Sequence, residues 1–396
     1  MQDQIIHGIS PIYRPSLFQS FFQGGFDCST EVRGDGRRID LINASGHEML
    51  ASKDYAQLAA QKLTTARDGL RWHLIESTPG QYDWSSFLPM LHAAQVNNIQ
   101  VIWDLCHYGW PDHIDVWQPE FVAQFARFAG AVAARVRDEG IAAPYYTPVN
   151  AISFLAWAGG DMAHIQPMAS KKGKALKQQM VRATLAAIDA IRAVDSSARF
   201  LQPEPVVHIN AQEGLPEMES AAEELRLAQF EVWDMLSGKL NPELGGAPGY
   251  LDIIGVNYRP GNQWFHQGGI IACDDTHYRP FAAILKEVYQ RYRRPVLIAE
   301  TGAENDLRVP WMRYIFEQTI QAMKDDVAVE GICLYPVADY RSWSGEKHLP
   351  FGLLGMQDVN GNRSLCEPLA LEMRSQQIRL KGLLEDILPD EKAMPA

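Results

Sequence analysis

Glu300 follows a short unbroken apolar run, Val296-Leu-Ile-Ala299, and precedes Thr301-Gly302. Arg294-Pro295 punctuate the other end. Such a run is the pattern of a strand buried on both faces, and the carboxyl end of a buried parallel strand is where β/α proteins put reactive groups. A carboxylate there can attack an electrophile or move a proton. A salt-bridged strand-end Glu fits the same position, so the choice rests on the other strand ends. Those carry Asp27 and Glu31, Arg71, His107 and Tyr108, Asn150, Glu204, Asn257 and Tyr258, and Tyr335 with Asp339 and Trp343. Ring faces stack on the C–H faces of a sugar, and amides and carboxylates fork onto vicinal hydroxyls, so this set suits a carbohydrate. The strand ends spell no metal-ligand triad, no Schiff-base lysine and no Ser/His/Asp set in an elbow. Individually, Arg71 also reads as a structural ion-pair partner, His107 as a satisfied core histidine, and Glu204 as a strand-end loop residue.

The elements that must position these groups recur along the chain. Strand-like runs are expected at Ser20–Cys28, Gly69–Ile75, Ile99–Cys106, Tyr145–Asn150, Ala198–Pro203, Leu251–Tyr258, Pro295–Ala299 and Val329–Tyr335. Helical patterns separate most of them, at Asp54–Thr65, Trp84–Asn97, Pro119–Glu139, Lys174–Val194, Glu217–Leu236, Pro280–Tyr292 and Trp311–Asp325. Eight alternations of this kind predict an α/β fold, a (β/α)8 TIM barrel. A doubly wound sheet is the alternative, but Gly24-Gly25-Phe26-Asp27 after the first run is not a dinucleotide loop. With no low-complexity linker, residues 1–396 read as one catalytic domain with a C-terminal helix from Glu367 to about Leu388.

Composition narrows the partners. The 396 residues are 46% hydrophobic and carry a net charge of −12, which disfavours a phosphate backbone, so no nucleic acid is expected. Five cysteines lack CxxC spacing, and three sit in strand-like runs as small core residues, so no disulfide framework and no zinc site is expected. The reading as a whole carries no metal or organic cofactor. The first residues lack a basic and then apolar leader, and no run reaches a membrane span, which together read as a soluble cytoplasmic protein without a membrane partner.

The ordered motifs resemble glycoside hydrolase family 1, the β-glucosidase and β-galactosidase family of retaining barrel enzymes. Leu70-Arg71-Trp72 with Pro79-Gly80 is similar to its second-strand segment, and Asp104-Leu-Cys-His107-Tyr-Gly-Trp-Pro111 to its "T-L-x-H-w-x-x-P". Thr147-Pro-Val-Asn150 resembles the start of "T-x-N-E-P", Ile254-Gly-Val-Asn-Tyr258 "I-G-x-N-Y", and Ile298-Ala-Glu-Thr-Gly302 "I-T-E-N-G". Tyr335 through Trp343, then Phe351-Gly-Leu353, resembles "W-S-L-x-D-N-F-E-W … F-G-L". The resemblance implies a β-linked glycoside or oligosaccharide as substrate and Glu300 as the nucleophile. It implies Tyr258 holding Glu300 by a hydrogen bond, Arg71 beside it, and His107 and Asn150 on sugar hydroxyls, with Asn257, Tyr335 and Trp343 in the substrate site and Glu31 or a neighbour replacing the family's first-strand Gln; Glu204 joins the substrate site from its strand-end position.

The family's acid/base Glu would follow Asn150, and this chain has Ala151 there. Alanine moves no proton, while a retaining glycosidase needs two carboxyl groups about 5–5.5 Å apart. An engineered Glu→Ala exchange, a transfer of the acid role to Glu204, and a natural carbohydrate-binding protein or transglycosylase are the three explanations. Tyr335 in place of the family's Trp and Ser342 in place of its Glu also change the outer half of the sugar site.

Overall fold

The computed structural model describes residues 12–212, 214–341 and 347–385. Eight parallel strands close a barrel: β1 (Phe22–Gly25), β2 (Thr65–Gly69), β3 (Gln100–Cys106), β4 (Tyr145–Val149), β5 (Arg199–Pro205), β6 (Ile253–Asn257), β7 (Val296–Thr301) and β8 (Val329–Leu334). Each pairs with its sequence neighbours, and β8 closes on β1 through Phe22 opposite Ile332. The outer layer holds α1 (His47–Ala60), α2 (Leu88–Val96), α3 (Glu120–Asp138), α4 (Gly173–Val194), α5 (Glu219–Leu227), α6 (Glu231–Leu236), α7 (Phe281–Tyr292), α8 (Arg308–Lys324) and α9 (Glu367–Glu385). This is the expected (β/α)8 architecture. No described helix is long and apolar enough to cross a membrane.

The strand pattern explains why seven of the expected runs fall on barrel strands and one does not. Apolar residues fill the first four positions of β7, which is buried throughout. β2 reads Thr-Ala-Arg-Asp-Gly and is equally buried, yet carries two charges. Hydrophobicity therefore moved the expected second strand to Gly69–Ile75, where Trp72–Ile75 is a one-turn helix. The expected helix Asp54–Thr65 likewise lies earlier, as α1. The expected Glu217–Leu236 helix is broken at Ala228–Phe230.

Two apolar regions support the barrel. The larger lies between strands and helices; Phe121, Phe125 and Phe128 of α3 pack on Trp72 there. The smaller joins Ile102, Tyr145, Leu201, Ile253, Leu297 and Ala299 from five strands, with Leu17 and Phe18 against it. Side chains from these neighbouring strands filling the interior make the barrel a solid support rather than a pore. Gly25 has a specific steric role: a Cβ there would lie 2.1 Å from the Tyr335 ring, so only glycine admits that ring against β1.

Candidate active site

The carboxyl ends of the strands surround a cavity of about 440 Å³ whose wall includes Asp27, His107, Ala151, Asn257, Glu300 and Tyr335. Glu300, within β7, is buried at 9% exposure. Its Oε1 accepts from the Asn150 amide at 3.1 Å and lies 3.4 Å from Arg67 Nη1. Its Oε2 lies 3.5 Å from Arg259 Nη2. Two guanidinium groups and an amide N–H thus complement one carboxylate held at the cavity wall.

Arg67 is the centre of the network beneath. Its Nη2 donates to Asp104 Oδ2 at 2.6 Å and to Asn150 Oδ1 at 3.1 Å, and its Nη1 to the Ala299 carbonyl at 2.9 Å. Burial works against its charge, but Asp104 and Glu300 more than offset this and raise the guanidinium pKa. Asn150 passes the network on, its Nδ2 lying 3.0 Å from His107 Nε2. His107 Nδ1 lies 3.1 Å from Cys28 Sγ and 3.4 Å from both Asp104 Oδ2 and the Tyr335 hydroxyl. Burial opposes a charged imidazole, yet the Asp104 hydrogen bond and the neighbouring carboxylates raise the His107 pKa above its ordinary value.

Cys28, Asp104 and His107 bring three ligand-type atoms within 4.8 Å, a grouping that motif spacing did not reveal. The Arg67 donor already occupies the Asp104 oxygen, and burial pushes the Cys28 thiol well up, so these atoms are better described as a hydrogen-bonded chain than as a cation site.

Several sequence-derived placements need correction. Arg71 is not beside Glu300. It precedes the Trp72–Ile75 turn, outside the barrel, and engages Asp40 at 3.3 Å and Glu48. Arg67, four residues earlier and inside β2, takes the place expected of it. Tyr258 does not reach the Glu300 carboxylate: its hydroxyl lies 3.0 Å from that of Tyr278 and accepts from Gln263 Nε2 at 2.7 Å. Alternation explains this, because Asn257 and Arg259 line the cavity and the residue between them faces away. The contact expected of Tyr258 is made by Arg259.

Glu204 also turns from the cavity. Its oxygens accept the backbone N–H groups of Ile152 at 2.8 Å and Ser153 at 2.9 Å, and burial pushes its pKa up to about 7. It caps the turn after Ala151 rather than lining the substrate space. Glu31 is fully buried off the cavity wall, its two oxygens without a hydrogen-bond partner among the described residues. Burial raises its pKa to about 7. Trp343 and Ser342 lie outside the described residues. Asp339 accepts from Gly352 N at 2.7 Å and lies 3.1 Å from His348 Nε2.

Ala151 does face the cavity. Its backbone is left-handed, with φ 41° and ψ 61°, and its N–H donates to the Pro203 carbonyl at 3.1 Å. Among the described residues the other cavity-lining carboxylate is Asp27, whose Oδ1 accepts both the N–H and the hydroxyl of Ser29, at 3.1 and 2.6 Å. The signal for Asp27 was its strand-end position. Arg67 had the signal of a charge inside a buried strand, and Arg259 that of the period-two step from Asn257.

No protein-family profile matches the sequence, and no curated protein sequence matches it either. Solved structures do match in fold. A family 1 β-glucosidase from Thermotoga maritima superposes with a TM-score of 0.73 at 13% identity, over 92% of this chain and 99% of that one. A Thermotoga maritima β-glucosidase in complex with glucoimidazole gives 0.74 at 13% identity, over 94% and 99%. A rice β-glucosidase mutant in a covalent complex with Glc gives 0.72 at 13% identity, over 90% and 97%. The chain therefore has the fold of the family 1 β-glucosidases, over most of its length.

Proposed function

We propose that this chain, acting as one catalytic domain, is a retaining β-glycosidase whose nucleophile is Glu300 and whose acid/base position is Ala151. The observation that carries the reading is the cavity wall itself: Glu300, under Arg67 and the Asn150 amide, shares it with an alanine at position 151. In the first step a Glu300 oxygen attacks the anomeric carbon, and the bond to the leaving oxygen breaks with its electron pair. His107, Asn257 and Tyr335, on the cavity wall, serve sugar hydroxyls and ring faces, while Asn150, fully buried beneath, orients Glu300. No carboxyl at 151 protonates the leaving oxygen, and Glu204 is engaged by backbone N–H groups. Phenolates that leave unprotonated are therefore accepted, and alkoxides hardly at all.

The second step lacks a base to deprotonate water, so a nucleophile that needs none should replace it. Incubation with a dinitrophenyl β-glycoside and azide is expected to accelerate dinitrophenolate release and to yield a β-glycosyl azide. An α-azide would mean a single displacement and contradict the retaining assignment. The Arg259 contact to Glu300 Oε2 favours a second reading, a non-hydrolytic carbohydrate-binding protein, because an ion pair across the attacking oxygen hinders attack. Saturable glycoside binding with no azide product from any activated sugar would select that reading.

A further inference from the structure

A second cavity, of about 350 Å³, opens beside the first, and nothing in the chemistry of Glu300 uses it. Its floor is aromatic. Tyr258 stacks on Phe281 at 4.2 Å between centroids and on Trp311 at 5.6 Å, and Trp311 packs on Tyr314 at 5.5 Å. A line of hydroxyls crosses it: Tyr258 to Tyr278 at 3.0 Å, and Tyr278 to Tyr314 at 3.1 Å. Its mouth is apolar and faces water. Ile270 is 69% exposed and Leu307 59% exposed, and both line this cavity. Large apolar side chains gathered at a concave, aromatic opening mark a binding site more than a solvent face. Arg259 and Asn262 belong to both cavities and form the wall between them.

We propose that this side cavity, between the loop after β6 and the start of α8, binds a small planar aromatic molecule carrying a phenolic or carbonyl oxygen. The volume lies at the small end of ligand pockets, the size of one or two rings rather than of an oligosaccharide. The ring lies against Trp311 and between the Ile270 and Leu307 side chains. Its oxygen meets the tyrosine hydroxyl line or the Arg259 guanidinium, since a buried aromatic ligand with a polar end binds best where both halves are matched. Because Arg259 also touches Glu300 Oε2, the wall that the ligand presses on is part of the first site. The inference goes beyond the glycosidase reading and holds or fails independently of it.

The probe is 4-methylumbelliferone, a flat bicyclic phenol, titrated into the intact protein by calorimetry. One saturable site is expected. Ile270→Asp and Leu307→Asp, both at exposed positions, should each weaken binding about tenfold, which is about 1.4 kcal/mol. Tyr278→Phe should weaken it less, by removing one hydroxyl partner. Asp27→Asn, on the wall of the first cavity, should leave the affinity unchanged. Circular dichroism confirms that each variant is folded. Absence of saturable binding would overturn the proposal. So would binding that ignores both rim substitutions and responds to Asp27→Asn, because the probe would then occupy the first cavity.

Discussion

Replacing Arg67 by Met keeps most of the side-chain length and removes the charge at the centre of the site. The guanidinium is fully buried, and Asp104 Oδ2, 2.6 Å away, is equally buried. Removing one partner of a buried pair costs about 3–5 kcal/mol, because the other charge is left uncompensated. With an unfolding entropy of about 2.1 cal/mol/K per residue over 396 residues, a loss of about 4 kcal/mol lowers Tm by roughly 5 °C. The loss also carries a pH signature. In the parent protein burial alone would raise the Asp104 carboxyl, and Arg67, then His107, hold it below its ordinary value. A carboxylate with a lowered folded pKa contributes stability above its unfolded pKa of about 3.9, and that stability is lost as pH falls through the folded pKa. Without Arg67, burial wins and the Asp104 pKa rises. The variant is then relatively most stable below about pH 4 and loses stability as the pH rises. The gap between parent and variant should therefore widen from about pH 4.5 to about pH 7.5 in urea unfolding followed by circular dichroism. Adding Asp104→Asn removes the stranded charge and should recover about 1–3 kcal/mol. Arg71→Met is the contrasting change: its partners Asp40 and Glu48 are partly exposed, so water replaces the lost cation and the loss should be smaller. An Arg67→Met loss under about 1 kcal/mol, or a gap that does not change with pH, would refute this reasoning.

Ala151 holds a left-handed backbone, so Ala151→Gly should stabilise the fold by about 0.5 kcal/mol in thermal unfolding; a loss would show that the Cβ packs better than the strain costs. Glu31 has a folded pKa raised to about 7 by burial, so its stabilising neutral form is present below the unfolded value of about 4.3 and is lost as pH rises through 7. Glu31→Gln should therefore match the parent near pH 4 and exceed it by about 1–3 kcal/mol near pH 8, measured by the same unfolding curves. Glu204 is raised to about 7 in the same way, and Glu204→Gln should flatten the decline in stability between about pH 4.5 and pH 7. Any residual turnover of unactivated alkyl glycosides should be untouched by that change, and a collapse would restore Glu204 as the acid.

The barrel was legible because seven of its strands are apolar runs or end in recognisable strand-end residues. β7 with Glu300 is the clearest case. β2 was not legible, because its charges are solvated by partners on other elements rather than by water: Arg67 by Asp104, and Asp68 by His47 at 2.8 Å. A propensity reading takes such charges for a loop. The same displacement put Arg71 where Arg67 belongs. Tyr258 and Arg259 differ by one step of side-chain alternation, and only the register of β6 decides which faces the cavity. The sequence shows Glu204 at the end of the fifth strand, but the N–H groups of Ile152 and Ser153 that hold it arise from the turn at Ala151, which sequence spacing does not describe.

A Glu300 nucleophile must form a covalent bond to the anomeric carbon. The direct measurement is mass spectrometry of peptides from the protein incubated with a 2-deoxy-2-fluoro dinitrophenyl β-glycoside. The fluorine slows both steps, the activated phenolate leaves without an acid, and the missing base leaves the ester in place. One sugar per chain is predicted, on the peptide containing Glu300, and Glu300→Gln should abolish it. Stoichiometric labelling of another carboxylate, such as Asp27, or no label from gluco- and galacto-configured reagents that demonstrably bind, would contradict the assignment.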